Sequence, residues 1–329
     1  MKRRDLLAAL PALAVVRHAS AETARVRVAF VSPATSVNRM NMAAGGLYAG
    51  VLGELRRLGY AEGEALTVER YSADGRVERL SGIVQTVVAS KPDCIFAQSS
   101  ETALLFKAAT TTIPIVTYAN NPVDRGLIAS MARPGGNITG FAASPGVEFV
   151  GKRLQYLHEA APKATRIGFL SPKGEWDELI TPALAQIQQG GLELLGGADS
   201  GLTREIDYRR FFATMAQRKM EALVVSDTTD NARNVELIQS HIHRAQLPAI
   251  YPWRLAQRYG GLMSYGVDTL ASGAGLGDYI VRILKGANPA DLPYQQPTKF
   301  ELVLNLVAAR QMKLRFPQSL LARADETLE

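Results

Sequence analysis

From Arg25 onward, short runs rich in β-branched residues alternate with longer stretches whose apolar residues recur at helical spacing, and midway along the chain the rhythm starts again. Residues 26–31 read as a strand, after which Leu47, Val51, Leu55 and Leu58 mark one face of a helix. Strands follow over 66–71, 94–97, 113–118 and 138–141; between them lie a helix carrying Leu80, Val84, Val87 and Val88 and another over 102–109. A helix near 149–160 opens the second round, with strands at 167–170, 192–195 and 222–226 and helices over 176–189 and 208–217. A last helix presents Val235, Ile238 and Ile242 on one face. Such alternation specifies a parallel sheet covered by helices. Right-handed crossovers wind each half into a Rossmann-like, doubly wound α/β domain, whose ligand crevice lies beyond the carboxyl ends of its strands.

The late segments connect the halves. After Gly260-Gly261-Leu262-Met263-Ser264 come a helix near 276–285, a strand over 298–304 and a tail, 305–324, helical in two pieces. These elements suffice for the chain to return to the first domain and cross again. The expected lobes are 22–142 with about 266–295, and 143–265 with about 296–329, joined by a three-segment hinge that opens and closes as a rigid-body motion.

The beginning of the chain has another character. Lys2, Arg3 and Arg4 precede an apolar stretch over 6–16 and the small-x-small site Ala19-Ser20-Ala21, so residues 1–21 read as a signal peptide cleaved after Ala21. The general and twin-arginine export routes both remain open. The stretch is about half the length a membrane-spanning helix needs, and no later segment reaches roughly eighteen apolar residues. No cysteine stands at the cleavage site, so a lipid anchor is not expected. The leader takes four of the 37 basic residues and one of the 31 acids, reducing the formal net charge from +6 to +3. The remaining Lys and Arg are scattered among acids, which disfavours a nucleic-acid partner. With Cys94 as the one cysteine, no disulfide forms within the chain, and that residue reads as a small buried hydrophobe.

Catalytic patterns fail one by one. Gly273-Ala274-Gly275-Leu276-Gly277 approaches a dinucleotide-binding turn, but Asp278 stands where its last glycine belongs, so a small-residue helix start is expected. No segment has the spacing of a phosphate-cradling loop. Gly261-Leu262-Met263-Ser264-Tyr265-Gly266 has Leu262 in place of the first glycine of a serine-hydrolase elbow. His241 and His243 are about 200° apart around a helix and cannot easily share a metal. No catalytic group, metal or cofactor is expected.

What the strand ends supply is hydrogen-bonding groups. In the first half these are Ser32 and Ser36, then Ser99, Ser100 and Thr102 at a helix start, then Asn120 and Asn121. The helix start favours an anionic ligand group, although Ser99 or Ser100 could equally serve as a cap. In the second half Asp227 suits a ligand ammonium, with Asp230 nearby, and Tyr251 or Trp253 suits an apolar or aromatic end. Both acids could instead cap helices. Trp176 reads as core cover, and Ser171 ends its strand.

Several of these segments together resemble the ABC-transporter substrate-binding proteins that include tryptophan- and tyrosine-binding members. They are Leu58-Gly59-Tyr60-Ala61-Glu62-Gly63, Ile113-Pro114-Ile115-Val116, Ala132-Arg133-Pro134-Gly135-Gly136-Asn137-Ile138-Thr139-Gly140 and Gly151-Lys152-Arg153-Leu154. Later come Leu247-Pro248-Ala249-Ile250-Tyr251, the Gly261–Gly266 run, Arg282-Ile283-Leu284-Lys285-Gly286-Ala287 and Gln296-Pro297-Thr298-Lys299-Phe300-Glu301-Leu302. The resemblance implies the type I periplasmic-binding-protein fold, a small ligand held between two lobes, and delivery to an inner-membrane permease with its ATPase. A periplasmic monomer is expected. Asn121-Pro122 stands where many members have Asp-Pro, and Ser99-Ser100-Glu101 replaces a Gly-rich loop, so ligand identity does not carry over. A sensor for a receptor kinase or an exported hydrolase are the rival expectations.

Overall fold

Along Val26–Ser32, which forms β1, successive side chains bury into two different cores: Val28 and Phe30 into one, Ala29 and Val31 into the other. Strand side chains alternate between faces, so a strand apolar on both is covered on both. The computed structural model describes residues 25–329 apart from 145, 147, 186–190, 197, 199, 200 and 203. The leader expected over 1–21, and the end of the helix expected over 176–189, lie outside the described residues.

Among the described residues, the first sheet has the order β2-β1-β3-β4-β5 and is parallel throughout. Its other strands are β2 (Leu66–Ser72), β3 (Cys94–Gln98), β4 (Ile115–Tyr118) and β5 (Ile138–Phe141). The second sheet has the order β12-β11-β10-β9-β8-β6-β7. It comprises β6 (Arg166–Leu170), β7 (Glu193–Gly196), β8 (Ala222–Val225), β9 (Ala249–Tyr251), β10 (Met263–Val267), β11 (Phe300–Asn305) and β12 (Glu326–Leu328). The run β7-β6-β8-β9-β10 repeats the winding of the first sheet, and β11 joins its edge antiparallel, with Tyr265 opposite Leu302. Both sheets are doubly wound. Ala222 and Val224 face one core of the second sheet, Leu223 and Val225 the other.

The chain passes between the sheets three times: between Phe141 and Glu148, between Val267 and Thr269, and between Gln295 and Phe300. The return to the first sheet is made by the helix Thr269–Leu284, which packs against the helix Gly46–Arg57. Its interior glycines explain the near-dinucleotide motif. A Cβ on Gly273 would fall 2.2 Å from the Leu47 carbonyl oxygen, so small residues let the two backbones touch. The helix begins at Thr269, earlier than expected, because Asp268 caps it by accepting from the Ala271 N–H at 2.9 Å. The Gly273 cluster is therefore helix interior, not a helix start. Leu276 and Ile280, both fully buried, anchor the helix in the first core, each contributing about 1.5–3 kcal/mol.

Gly140 serves a different need. It pairs with Thr117 across β4 and β5 at φ +154°, and a Cβ there would lie 2.0 Å from the Thr117 carbonyl oxygen. Strands β9 and β10 were not anticipated, since β9 has three residues and Gly266 interrupts the β-rich character of β10.

Candidate functional site

The carboxyl ends of the first sheet place Ser32, Gln98 and Tyr118 side by side on β1, β3 and β4. Gln98 Oε1 accepts from Ser32 Oγ at 2.7 Å, Tyr48 OH at 2.8 Å and Thr35 Oγ1 at 3.2 Å, so the amide is oriented by three hydroxyls. Burial raises the Tyr48 hydroxyl pKa and keeps it a donor. Ser36 lies apart, with its hydroxyl on Asn38 Oδ1 at 2.6 Å.

At the next loop the capping alternative describes the hydroxyls. Ser99 Oγ accepts from the Thr102 N–H at 3.3 Å and touches Thr102 Oγ1 at 3.1 Å, and Thr102 is fully buried. Ser100 Oγ donates to the Asn120 carbonyl at 2.8 Å and accepts from the Asn120 N–H at 3.1 Å. These three hydroxyls are engaged in holding two strand-end loops together. What the loops deliver is the Asn120 side chain, whose Oδ1 is buried and has no partner. Asn121 is exposed, at φ +48°, which Asn tolerates well.

The second wall is more strongly charged. Asp227 follows β8, and Trp253 Nε1 donates to its Oδ1 at 2.5 Å. Burial raises the Asp227 pKa, while Arg153 and the Trp253 bond oppose the shift. Arg153 comes from the helix Glu148–Ala160, is 4% exposed, and donates from Nε to the Tyr265 carbonyl at 2.8 Å. Its charge interacts with Asp227 and Glu175, yet among the described residues it forms an ion pair with neither. Glu175 ends a helical turn, Lys173–Glu175, just after β6, and its Oε2 is buried without a partner. Burial pushes its carboxyl up to about 7; a Ser226 hydrogen bond opposes this, the Asp227 charge adds to it and Arg153 opposes it. Ser171, at the end of β6, is fully buried with its Oγ unpartnered.

Tyr118 joins the two walls. Its hydroxyl pKa is raised by burial and then by the charge of Asp227, which follows β8 of the second sheet. The sequence-selected residues thus divide. Asp227, Trp253 and Asn120 stand half-buried beyond strand ends, Ser32 is fully buried with its hydroxyl on Gln98, Ser99, Ser100 and Thr102 brace the strand-end loops, and Ser36 and Asn121 stand aside. Tyr251 is withdrawn from the site: it is fully buried in the core of the second sheet, with its hydroxyl on Gln239 Oε1 at 2.5 Å. It sits within β9, where pleating turns it toward the helices, whereas Trp253 lies beyond the strand end. Asp230 is partly exposed and forms an ion pair with Arg233 at 3.7 Å. Trp176 packs on Phe169, with ring centres 6.1 Å apart, as core cover.

Arg153, Glu175, Tyr118 and Gln98 were not selected from the sequence. Arg153 carried a signal: it falls between Val150 and Leu157 on the apolar face of its helix, where a charge has no reason to be unless something meets it. Among the described residues no group of three His, Cys, Asp or Glu could hold a metal ion. His241 stacks on Phe212 at 4.6 Å instead. Two surface grooves of about 350 and 360 Å³ lie between outer helices near His241 and Arg244, away from the strand ends. No helix among the described residues is long and apolar enough to cross a membrane.

A model of the ABC transporter substrate-binding protein family matches residues 41–328. A protein of Clostridioides difficile (strain R20291) named "Tyrosine-binding protein" is 24% identical over 261 residues, 78% of this chain and 73% of that one. A domain from Streptococcus pneumoniae, solved in complex with L-Trp, superposes with a TM-score of 0.80 at 20% identity, covering 92% of this chain and 100% of that one. A conserved domain protein of Vibrio cholerae gives 0.78 at 25% identity, with 92% and 99% covered.

Proposed function

The chain belongs to the ABC transporter substrate-binding protein family, and on that premise we propose that it is a periplasmic receptor which closes its two lobes on a small zwitterionic ligand, an amino acid. The carrying observation is that Arg153 and Asp227 act on one another as opposite charges without forming an ion pair, Arg153 being held on the Tyr265 carbonyl and Asp227 on Trp253. Separated charges in a cleft of low polarity lack compensation. A zwitterion supplies it, with its carboxylate on Arg153 and its ammonium on Asp227. Trp253 and Tyr118 then flank the ligand side chain, in keeping with the tyrosine and L-Trp that the relatives' names carry.

The cleft binds without reacting. Asp227 and Arg153 offer one wall in the open form, while Tyr118 and Asn120 meet the ligand only on closure, and that difference in affinity drives the population closed. The closed surface is what an inner-membrane permease, with its ATPase, would read. Residues 1–21 act as the export leader, and the mature protein works as a monomer.

The test is titration calorimetry of the mature chain against the proteinogenic amino acids. At least one binds, and Arg153→Met and Asp227→Asn each abolish that binding. Absence of binding across the whole set, or chemical turnover of a bound ligand, overturns the reading.

A further inference from the structure

Once Arg153 faces Asp227, one carboxyl in the cleft is left over. Glu175 Oε2 is buried and accepts no hydrogen bond, and four residues earlier the fully buried Ser171 Oγ is also without a partner. From the opposite wall Asn120 contributes a third such atom, Oδ1. A buried acceptor left unsatisfied is destabilising. Asn120 Oδ1 is an acceptor only, and the Glu175 carboxyl becomes one when it ionises, so what the ionised cleft lacks is donors. The charges agree once Glu175 ionises: one guanidinium, Arg153, then stands against two carboxylates, Asp227 and Glu175. A neutral zwitterion satisfies the Arg153 and Asp227 pair and leaves Glu175 as it was.

We infer that Glu175, with Ser171 and Asn120, forms a second subsite for a cationic group on the ligand's side chain, so that this receptor selects an amino acid of net positive charge. The inference rests on the zwitterion reading above and adds the side chain to it. Glu175 is suited to the task because its carboxyl, lifted to about 7 by burial, ionises fully when a cation arrives. The groups facing it are Ser226 and Asp227 from the end of β8 and Arg153 from the helix Glu148–Ala160, so an arriving cation is the added charge that favours ionisation.

The experiment uses the mature chain, L-lysine and L-arginine as cationic probes, and L-norleucine and L-tyrosine as neutral ones, by titration calorimetry at pH 6.5 in buffers of different ionisation enthalpy. L-lysine or L-arginine binds at least about tenfold more tightly than L-norleucine, with a proton release seen as an observed binding enthalpy that changes with the ionisation enthalpy of the buffer. In Glu175→Gln the ratio of lysine to norleucine affinity falls to about one and the proton release disappears. Ser171→Ala, a smaller change, lowers the same ratio in part and guards against a Glu175 variant that fails to fold. If the neutral probes bind as tightly as the cationic ones, the second subsite is wrong and the zwitterion reading stands. If none of the four binds and no other amino acid does, both fall.

Discussion

The indole nitrogen of Trp253 donates a 2.5 Å hydrogen bond to Oδ1 of Asp227, joining the end of β9 to the end of β8 at the floor of the cleft. The bond fixes one carboxylate oxygen and leaves the other for a ligand. It also favours the charged form of a group that burial would otherwise keep protonated. In Trp253→Phe the aromatic wall persists and the donor is lost. A hydrogen bond to a charged group contributes about 1.5–3 kcal/mol, so the ligand's dissociation constant rises about tenfold or more. Calorimetry on the variant decides, and an unchanged constant would remove Asp227 as the ammonium acceptor.

Arg153 gives the opposite balance between stability and binding. Its guanidinium is buried and unpaired with the carboxylates it faces, so replacing it with an apolar chain of similar length removes a poorly compensated charge. Arg153→Met is expected to melt at or above the wild-type temperature when free, while the ligand-induced rise in melting temperature is lost. Thermal unfolding with and without ligand measures both halves. A variant that melts lower and still binds would mean that the arginine is structural.

The free protein should lose stability as pH rises from about 4.5 to about 7, the window between the ordinary and folded-state values of Glu175. In that window the folded chain keeps a proton that the unfolded chain has released, and stability falls with pH wherever the folded state binds more protons. Asp227, also raised, acts with the same sign. Glu175→Gln has no such proton, so the melting-temperature difference between variant and wild type grows in the variant's favour across the window and levels off above it. A difference independent of pH would place Glu175 in water.

The winding of both sheets was legible because β-branched runs and helical periodicity are local signals, and they located most of the strands. The cleft was legible only in part. Strand-end position brought forward Asp227 and Trp253, which the structure joins by a hydrogen bond, but Tyr251 two residues earlier has the same chemistry, and only the end of β9 separates this core tyrosine from a tryptophan beyond the strand. Glu175 was passed over because it lies in a short helical turn with no pattern around it. Ser99 and Ser100 have the residue types of an anion site, and which donor their hydroxyls meet is decided by the neighbouring loop at Asn120, twenty residues away.

Arg233 reaches across to the first lobe. Its guanidinium carbon lies 2.1 Å from where a Cβ on Gly75 would stand, and its Nη1 approaches the Gly75 carbonyl at 3.5 Å, so the second lobe touches the loop after β2 of the first. An exposed contact of this kind contributes up to about 1 kcal/mol. In Arg233→Ala, ligand dissociation is expected to quicken about two- to fivefold with little change in association, because the contact exists once the lobes have met. Stopped-flow kinetics would show this, and a change confined to association would mean that the arginine steers the ligand instead.

Ser99 holds φ +84° and ψ 151°, a backbone conformation that belongs almost wholly to glycine. Strain of this kind costs about 1–3 kcal/mol. Replacing a serine cap by glycine loses only a few tenths of that, and the greater freedom of glycine in the unfolded chain takes away up to about 1 kcal/mol. Ser99→Gly is therefore expected to be more stable by about 1 kcal/mol and to melt a few degrees higher. Its ligand affinity should stay within about twofold, since the Ser99 hydroxyl is engaged with Thr102. A large loss of affinity with the gain in stability would return the hydroxyl to the ligand, and with it the anion-binding role that its place at a helix start suggested.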